Sequence, residues 1–363
     1  MKRGIVLIMA GGTGGHVFPA LAAARILRER GYEPVWLGTH RGLEAKLVPP
    51  QHIEVEWISV SGLRGKGFIT WLAAPFKLTV AIWQSLQVMR RRQPKVVLGA
   101  GGFVSGPGGV AAWLTRRPLV IHEQNAVAGM TNRMLSRFAR RVLEAFPASF
   151  PAGTRAERVG NPVRREILSL AAPAERFGRR YGPLRVLVFG GSQGAARLNA
   201  AVPAALATID VGLRPLLIHQ AGERHHEQTR ELYAKHNVQA DVRAFIDDMA
   251  EAYSWADLVV CRAGALTVSE LAAAGLPAIF VPFGAAVDDH QTLNAKYLVD
   301  AQAAISIPEA QLTPQRLAED LLKLLLSGRS KLGEMAVRAR TVAIVDADVR
   351  LADACDAVAG GGR

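Results

Sequence analysis

Three glycine-rich stretches hold the residues whose types and spacing could do chemistry. Met9-Ala10-Gly11-Gly12-Thr13-Gly14-Gly15-His16 follows an apolar run and leads into a helical pattern. Glycines between a strand and a helix let the backbone approach a phosphate that a Cβ would obstruct. His16 closes the loop with an imidazole, a side-chain type that suits either a general base or a structural cap on the loop. Gly190-Gly191-Ser192-Gln193-Gly194-Ala195 repeats the strand-to-glycine arrangement in the second half. The third stretch is Arg262-Ala263-Gly264-Ala265-Leu266-Thr267-Val268-Ser269-Glu270. Free amides at its helix start suit a diphosphate, and Glu270, one turn in, can accept hydrogen bonds from two ribose hydroxyls.

The spacing excludes two familiar nucleotide readings. A dinucleotide fingerprint needs G-x-G-x-x-G and then a carboxylate at the end of the second strand. Here Val17 stands at the third glycine position, and Trp36-Leu37-Gly38-Thr39 ends without an acid. The second half ends its own second strand Ile218-His219-Gln220, again without one. Neither loop reads G-x-x-x-x-G-K-[ST], so a P-loop ATPase is excluded too.

The elements that must position these loops alternate, strand then helix, along the whole chain. Strands are expected at residues 5–9, 34–37, 55–58, 96–98, 119–122 and 141–143, and after a restart at 184–189, 216–220, 242–245, 258–261 and 278–281. That pattern predicts an α/β protein of two Rossmann-like, doubly wound domains facing a cleft. A length of 363 residues agrees with two domains. The expected division is 1–163 and 164–340, with 341–363 free to pack back on the first, and 169–174 reads as a linker.

Cys261 and Cys355 are too few for a disulfide framework, and the N-terminal apolar run is too short for a signal peptide, so a cytoplasmic protein is expected. Residues 1–163 hold 22 Lys and Arg against 8 Asp and Glu, whereas the remainder holds 22 against 23. A segregated basic excess points to a polyanion: nucleic acid, an anionic membrane or a phosphorylated substrate. Aromatics at 6% and nucleotide-type loops in the basic half argue against nucleic acid. Residues 68–89, rich in Trp71, Leu72, Phe76, Leu78, Trp83 and followed by Arg90-Arg91-Arg92, contain Pro75 and Lys77 and make a poor membrane span. They suit either a helix lying on a bilayer surface or one buried on the sheet; the charge asymmetry favours the bilayer.

Taken together, GGTGGHVFPALA, WLGT, SGLRGKG, VLGAGGFVSGPGG, HEQNAVAGMTN, VGNPVR, VFGGSQGA, FIDDM, CRAGALTVSELAAAGLPAIFVPF and DDHQTLNA run in order from Gly11 to Ala295. In that order they resemble the MurG family of peptidoglycan N-acetylglucosaminyltransferases. The resemblance implies a GT-B fold and inverting transfer of N-acetylglucosamine from UDP-GlcNAc to membrane-bound lipid I, giving lipid II. It further implies peripheral attachment at the cytoplasmic face of the cell membrane. Another GT-B enzyme acting on a UDP-sugar, such as a UDP-GlcNAc 2-epimerase, is the alternative.

Carried over by position, the resemblance gives Glu270 to the uridine ribose and Ala265, Leu266, Thr267, Val268 and Ser269 to the donor diphosphate region. Ile246 would meet the uracil through its backbone, Gln291 the sugar hydroxyls and Ser192 the phosphates. Gly12, Thr13, Gly14, Asn125 and Arg164 are further donor-contact positions. His16 is the first candidate for the base, and Glu123 the second candidate or an orienter of the acceptor. Phe103 stands where relatives often carry tyrosine. No cofactor and no metal are implied: Asp346-Ala347-Asp348 has the D-x-D form but sits in a helical pattern.

Overall fold

Alternation along the first strand, β1 (Gly4–Met9), builds two cores at once. Val6 and Ile8 point to one face and Leu7 and Met9 to the other, and all four are fully buried. A strand covered on both sides reads as a continuous apolar run, as GIVLIM does. In the computed structural model, which describes residues 3–60, 74–191, 194–284 and 289–360, the chain divides into two units. The first is Met1–Pro162 with Asp346–Arg363, and the second is Val163–Val345.

The first unit adds β2 (Tyr32–Gly38), β3 (Glu54–Trp57), β4 (Val96–Gly99), β5 (Leu119–Glu123), β6 (Arg141–Glu144) and β7 (Ala156–Arg158). Their order is β3-β2-β1-β4-β5-β6-β7, every pairing parallel. The helices Gly14–Glu29 and Ala347–Ala359 cover one face, the latter contributing Leu351, Cys355 and Val358. The helices Ala74–Arg92, Ser105–Leu114 and Met130–Leu135 cover the other. The C-terminal helix is tied down by Arg3–Asp356, Arg25–Asp348 and Arg30–Asp353 ion pairs. One carboxylate of the D-x-D stretch thus serves Arg25; the other, Asp346, pairs with Arg350.

The second unit is a sheet of β8 (Arg185–Phe189), β9 (Leu216–Gln220), β10 (Asp241–Arg243), β11 (Leu258–Cys261), β12 (Ala278–Phe280) and β13 (Ala304–Ser306). They run β10-β9-β8-β11-β12-β13, also all parallel. The order reverses between β1 and β4 in one sheet and between β8 and β11 in the other. In such folds ligands bind beyond the strand ends at that reversal. Two strands, β7 and β13, lie outside the expected set; their sequences are Ala-Glu-Arg and Ala-Ile-Ser. The expected linker at 169–174 lies inside the second unit: 169–172 join the helices Arg165–Leu168 and Pro173–Gly178, and 173–174 begin the latter.

Candidate functional site

In the first unit the loops after β1, β4 and β5 meet at the reversal point. Gly101 and Gly102, after β4, both have positive φ. A Cβ on Gly102 would lie 2.2 Å from the Gly11 carbonyl oxygen, and one on Gly101 would lie 2.6 Å from His16 Nδ1. Only glycine allows this approach. Ser105 locks the junction, its hydroxyl donating to the carbonyls of Met9 (3.0 Å) and Gly101 (2.8 Å).

The β1 loop itself hangs on Glu44, a fully buried carboxylate. Glu44 accepts from the Gly12 amide (2.9 Å), the Thr39 amide (3.0 Å) and the Thr39 hydroxyl (2.8 Å). The Gly12 amide is therefore engaged inside the protein, and Gly14 and Gly15, at the helix start, are the amides left to face an anion. Gly12 and Thr13 are exposed.

His16 is half-buried, and its Nδ1 lies 3.0 Å from Gln124 Oε1. Gln124 Nε2 donates to the Ala100 carbonyl (2.9 Å) and to His122 Nδ1 (3.1 Å), and His122 Nε2 donates to the Gly160 carbonyl (2.9 Å). Burial pushes the His122 pKa down to about 4, so this imidazole is neutral at pH 7. Side chains alternate along β5, so Glu123 faces the other way. Its Oε1 accepts from the Asn125 amide (3.0 Å) and Asn125 Nδ2 (3.2 Å), its Oε2 from the Gly129 amide (3.1 Å) and Asn132 Nδ2 (2.8 Å). With four donors on two oxygens, Glu123 braces the loop that carries Asn125.

In the second unit the helix Ala265–Ala274 starts at the reversal point, directly after β11. Gly264 precedes it without a side-chain cap, and Gly275, in the left-handed region, ends it. Ala265 and Val268 are buried, so this turn can meet a ligand only through its backbone and the partly exposed Leu266, Thr267 and Ser269. The Ser269 hydroxyl donates to the Ala265 carbonyl (3.0 Å). Glu270 Oε1 meets Arg164 Nη2 (3.0 Å) and Nε (3.1 Å), and Oε2 accepts from the Tyr253 hydroxyl (3.1 Å). Burial raises the Glu270 pKa, and Arg164 and Tyr253 work against that rise.

The Ile246 amide donates to Gln220 Oε1 (3.0 Å), so its carbonyl is what it can offer a base. Gln220 Nε2 donates to the Gly191 carbonyl (3.1 Å), joining the Ile246 loop to the glycine loop after β8. Gln291, at the start of the helix His290–Asp300, accepts from the Phe283 amide (3.0 Å). Ser192 lies outside the described residues, as do SGLRGKG and residues 285–288 ahead of Gln291.

Sequence reasoning therefore named the ends of these networks and missed Glu44, His122, Gln124, Gln220 and Tyr253. The signal for two of them was present: His122, on β5, and Gln124, just past its end, stand two apart in an extended run, a spacing that puts them on one face.

Residues 6–144 match the model of the glycosyltransferase family 28 N-terminal domain, and residues 185–351 that of its C-terminal domain. A UDP-N-acetylglucosamine–N-acetylmuramyl-(pentapeptide) pyrophosphoryl-undecaprenol N-acetylglucosamine transferase from Alkalilimnicola ehrlichii is 56% identical over 96% of this chain and 98% of its own. A protein of the same name from Nitrosococcus oceani is 55% identical over 98% and 99%. Among solved structures, Acinetobacter baumannii MurG superimposes with a TM-score of 0.86 at 45% identity, covering 97% of this chain and 99% of that one.

Proposed function

The chain belongs to glycosyltransferase family 28, and from that premise we propose that it transfers N-acetylglucosamine from UDP-GlcNAc to the muramoyl sugar of lipid I, giving lipid II in peptidoglycan synthesis. One observation carries this reading: identity above one half, over nearly the full length, to transferases of that name. The two parallel sheets, each with a loop site at its reversal point, are the Rossmann-like units of a GT-B glycosyltransferase.

The geometry suits roles for His16, Glu123, Arg164 and Glu270. His16 Nε2 takes the proton of the acceptor hydroxyl as that oxygen bonds to the anomeric carbon. The bond from that carbon to the diphosphate oxygen breaks with its electron pair, UDP leaves, and the configuration inverts. The amides at 265–267 and the Arg164 guanidinium meet the departing charge. Arg164 pairs with Glu270, and ribose hydroxyls that bond to Glu270 would compete with that pair and turn the guanidinium toward the diphosphate. Glu123, with both oxygens engaged, orients Asn125, which leaves His16 as the base.

The first unit also presents a face suited to an anionic bilayer. Among the described residues no helix is long and apolar enough to cross a membrane. The helix Ala74–Arg92 buries Ala81, Val88 and Met89 and leaves Phe76, Leu78 and Trp83 exposed. The helix Ser105–Leu114 packed beside it exposes Trp113 and Leu114, and the helix Met130–Leu135 packed on that one, with the turn that follows, exposes Met134 and Phe138 together with Arg133 and Arg137. An apolar patch ringed by cations suits peripheral attachment at the cytoplasmic leaflet, next to a lipid-linked acceptor. Two of the three clustered arginines are engaged within the protein, Arg91 with Glu56 and Arg92 with Glu54 and Glu56, while Arg90 is exposed beside the patch.

Incubation with UDP-GlcNAc and a soluble lipid I analogue tests the assignment. The expected product is the disaccharide with inverted linkage. Acceptor-independent formation of the 2-epimer of UDP-GlcNAc would replace it with the epimerase reading.

A further inference from the structure

We infer that Gln124 is a positioning residue for this transfer, holding the His16 imidazole in the tautomer whose Nε2 carries the lone pair. The inference rests on the reading of His16 as the base.

Hydrogen-bond polarity runs one way along the chain. The Gly160 carbonyl can only accept, so His122 Nε2 carries hydrogen. His122 is fully buried, and its burial keeps it neutral, so it has a single N–H and its Nδ1 must accept. The group 3.1 Å from that Nδ1 is Gln124 Nε2, which also donates to the Ala100 carbonyl at 2.9 Å. Flipping the amide would set two acceptor oxygens against each other at the Ala100 carbonyl, around a side chain that is only 1% exposed. Oε1 therefore faces His16 Nδ1 at 3.0 Å, and because an amide oxygen only accepts, Nδ1 carries hydrogen. Neutral His16 is left with its lone pair on Nε2.

The partner's chemistry matters as much as its position. A carboxylate at Nδ1 would orient the ring too, but it would also favour the imidazolium, which has no lone pair to accept the acceptor's proton. The neutral amide fixes the tautomer without adding charge. Gly101 completes the arrangement, since a Cβ there would occupy the space of the His16 ring.

Nitrogen-15 NMR of histidine-labelled protein, with His16 assigned by its loss in His16→Gln, reads the tautomer directly. The Nδ1–H form is expected in the unsubstituted protein; the Nε2–H form there overturns the inference without any variant having to fold. Gln124→Met keeps the length and removes the acceptor. It should release His16 toward Nε2–H and lower kcat at least about tenfold, up to a ceiling of the ~10²–10⁴-fold that a general base supplies. KM for UDP-GlcNAc should stay within about twofold, because substitutions that remove a transition-state interaction spare ground-state binding. In a His16→Ala background the Gln124→Met change should cost nothing further; an equal loss there makes Gln124 merely structural and overturns the proposal. Near-normal turnover in His16→Ala overturns the base reading itself, whatever tautomer the spectrum shows.

Discussion

At Glu270 three influences compete: burial, which disfavours the carboxylate, and the Arg164 guanidinium and Tyr253 hydroxyl, which favour it. Glu270→Ala removes the charged acceptor for the ribose and leaves Arg164 without its partner. Hydrogen bonds to a charged group are worth about 1.5–3 kcal/mol, so calorimetry should show UDP-GlcNAc affinity falling tenfold or more. Unchanged affinity in a folded variant would remove Glu270 from the donor site. Removing the Tyr253 hydroxyl (Tyr253→Phe) should weaken the donor less, since it orients Glu270 without touching the sugar. Glu270 was legible in the sequence because its place one turn into a glycine-led helix has a chemical meaning there. Tyr253 was not, because seventeen residues and a strand separate it from the carboxylate it holds, and only the fold closes that distance.

Elements succeed or fail by how closely they approach. Gly102→Ala forces a side chain into a positive-φ position and against the Gly11 carbonyl, so the loops after β1 and β4 cannot both keep their places. Loss of thermal stability together with turnover is expected, whereas Gly129→Ala, where a Cβ meets nothing, should be tolerated. Equal melting temperatures for both variants would refute the close-packed junction. The helix Ala74–Arg92 divides its apolar residues between sheet and solvent, which is why its sequence fits both a buried and a membrane-surface helix. Phe76→Ser with Trp83→Ser should reduce sedimentation with anionic vesicles, and Arg133→Glu with Arg137→Glu should remove its salt dependence. Arg91→Glu should instead disturb the pairing with Glu56 and act on stability. Vesicle binding untouched by the first two pairs would assign the exposed face another role. The alternating strands were legible because burial on both faces writes an unbroken apolar run; β7 and β13 were not, since Ala-Glu-Arg and Ala-Ile-Ser write no such run.

Across the whole molecule each unit keeps one histidine buried and neutral: His122 with a pKa near 4 and His219 with a pKa near 3, both lowered by burial. Each folded value lies below that of the unfolded chain, so the unfolded state takes up the proton first. The contribution of these two groups to stability is complete above about pH 6.5 and is lost as pH drops toward 4 in the first unit and 3 in the second. Urea midpoints at pH 7, 6 and 5 should therefore decline, and a flat profile would contradict the buried neutral pair. The basic excess also looks different once the fold is known. With residues 346–363 included, the first unit holds 24 basic and 12 acidic residues, because the returning helix brings the acids that bind Arg3, Arg25 and Arg30. That return has a consequence for the order of synthesis. When Pro162 leaves the ribosome, one face of the first sheet still lacks Leu351, Cys355 and Val358, which cover it in the finished protein. At about 5–20 residues per second, the intervening segment Val163–Val345 delays that cover by roughly 10–40 s. The half of the chain made first is thus the half completed last, and it waits with an apolar surface open to chaperones.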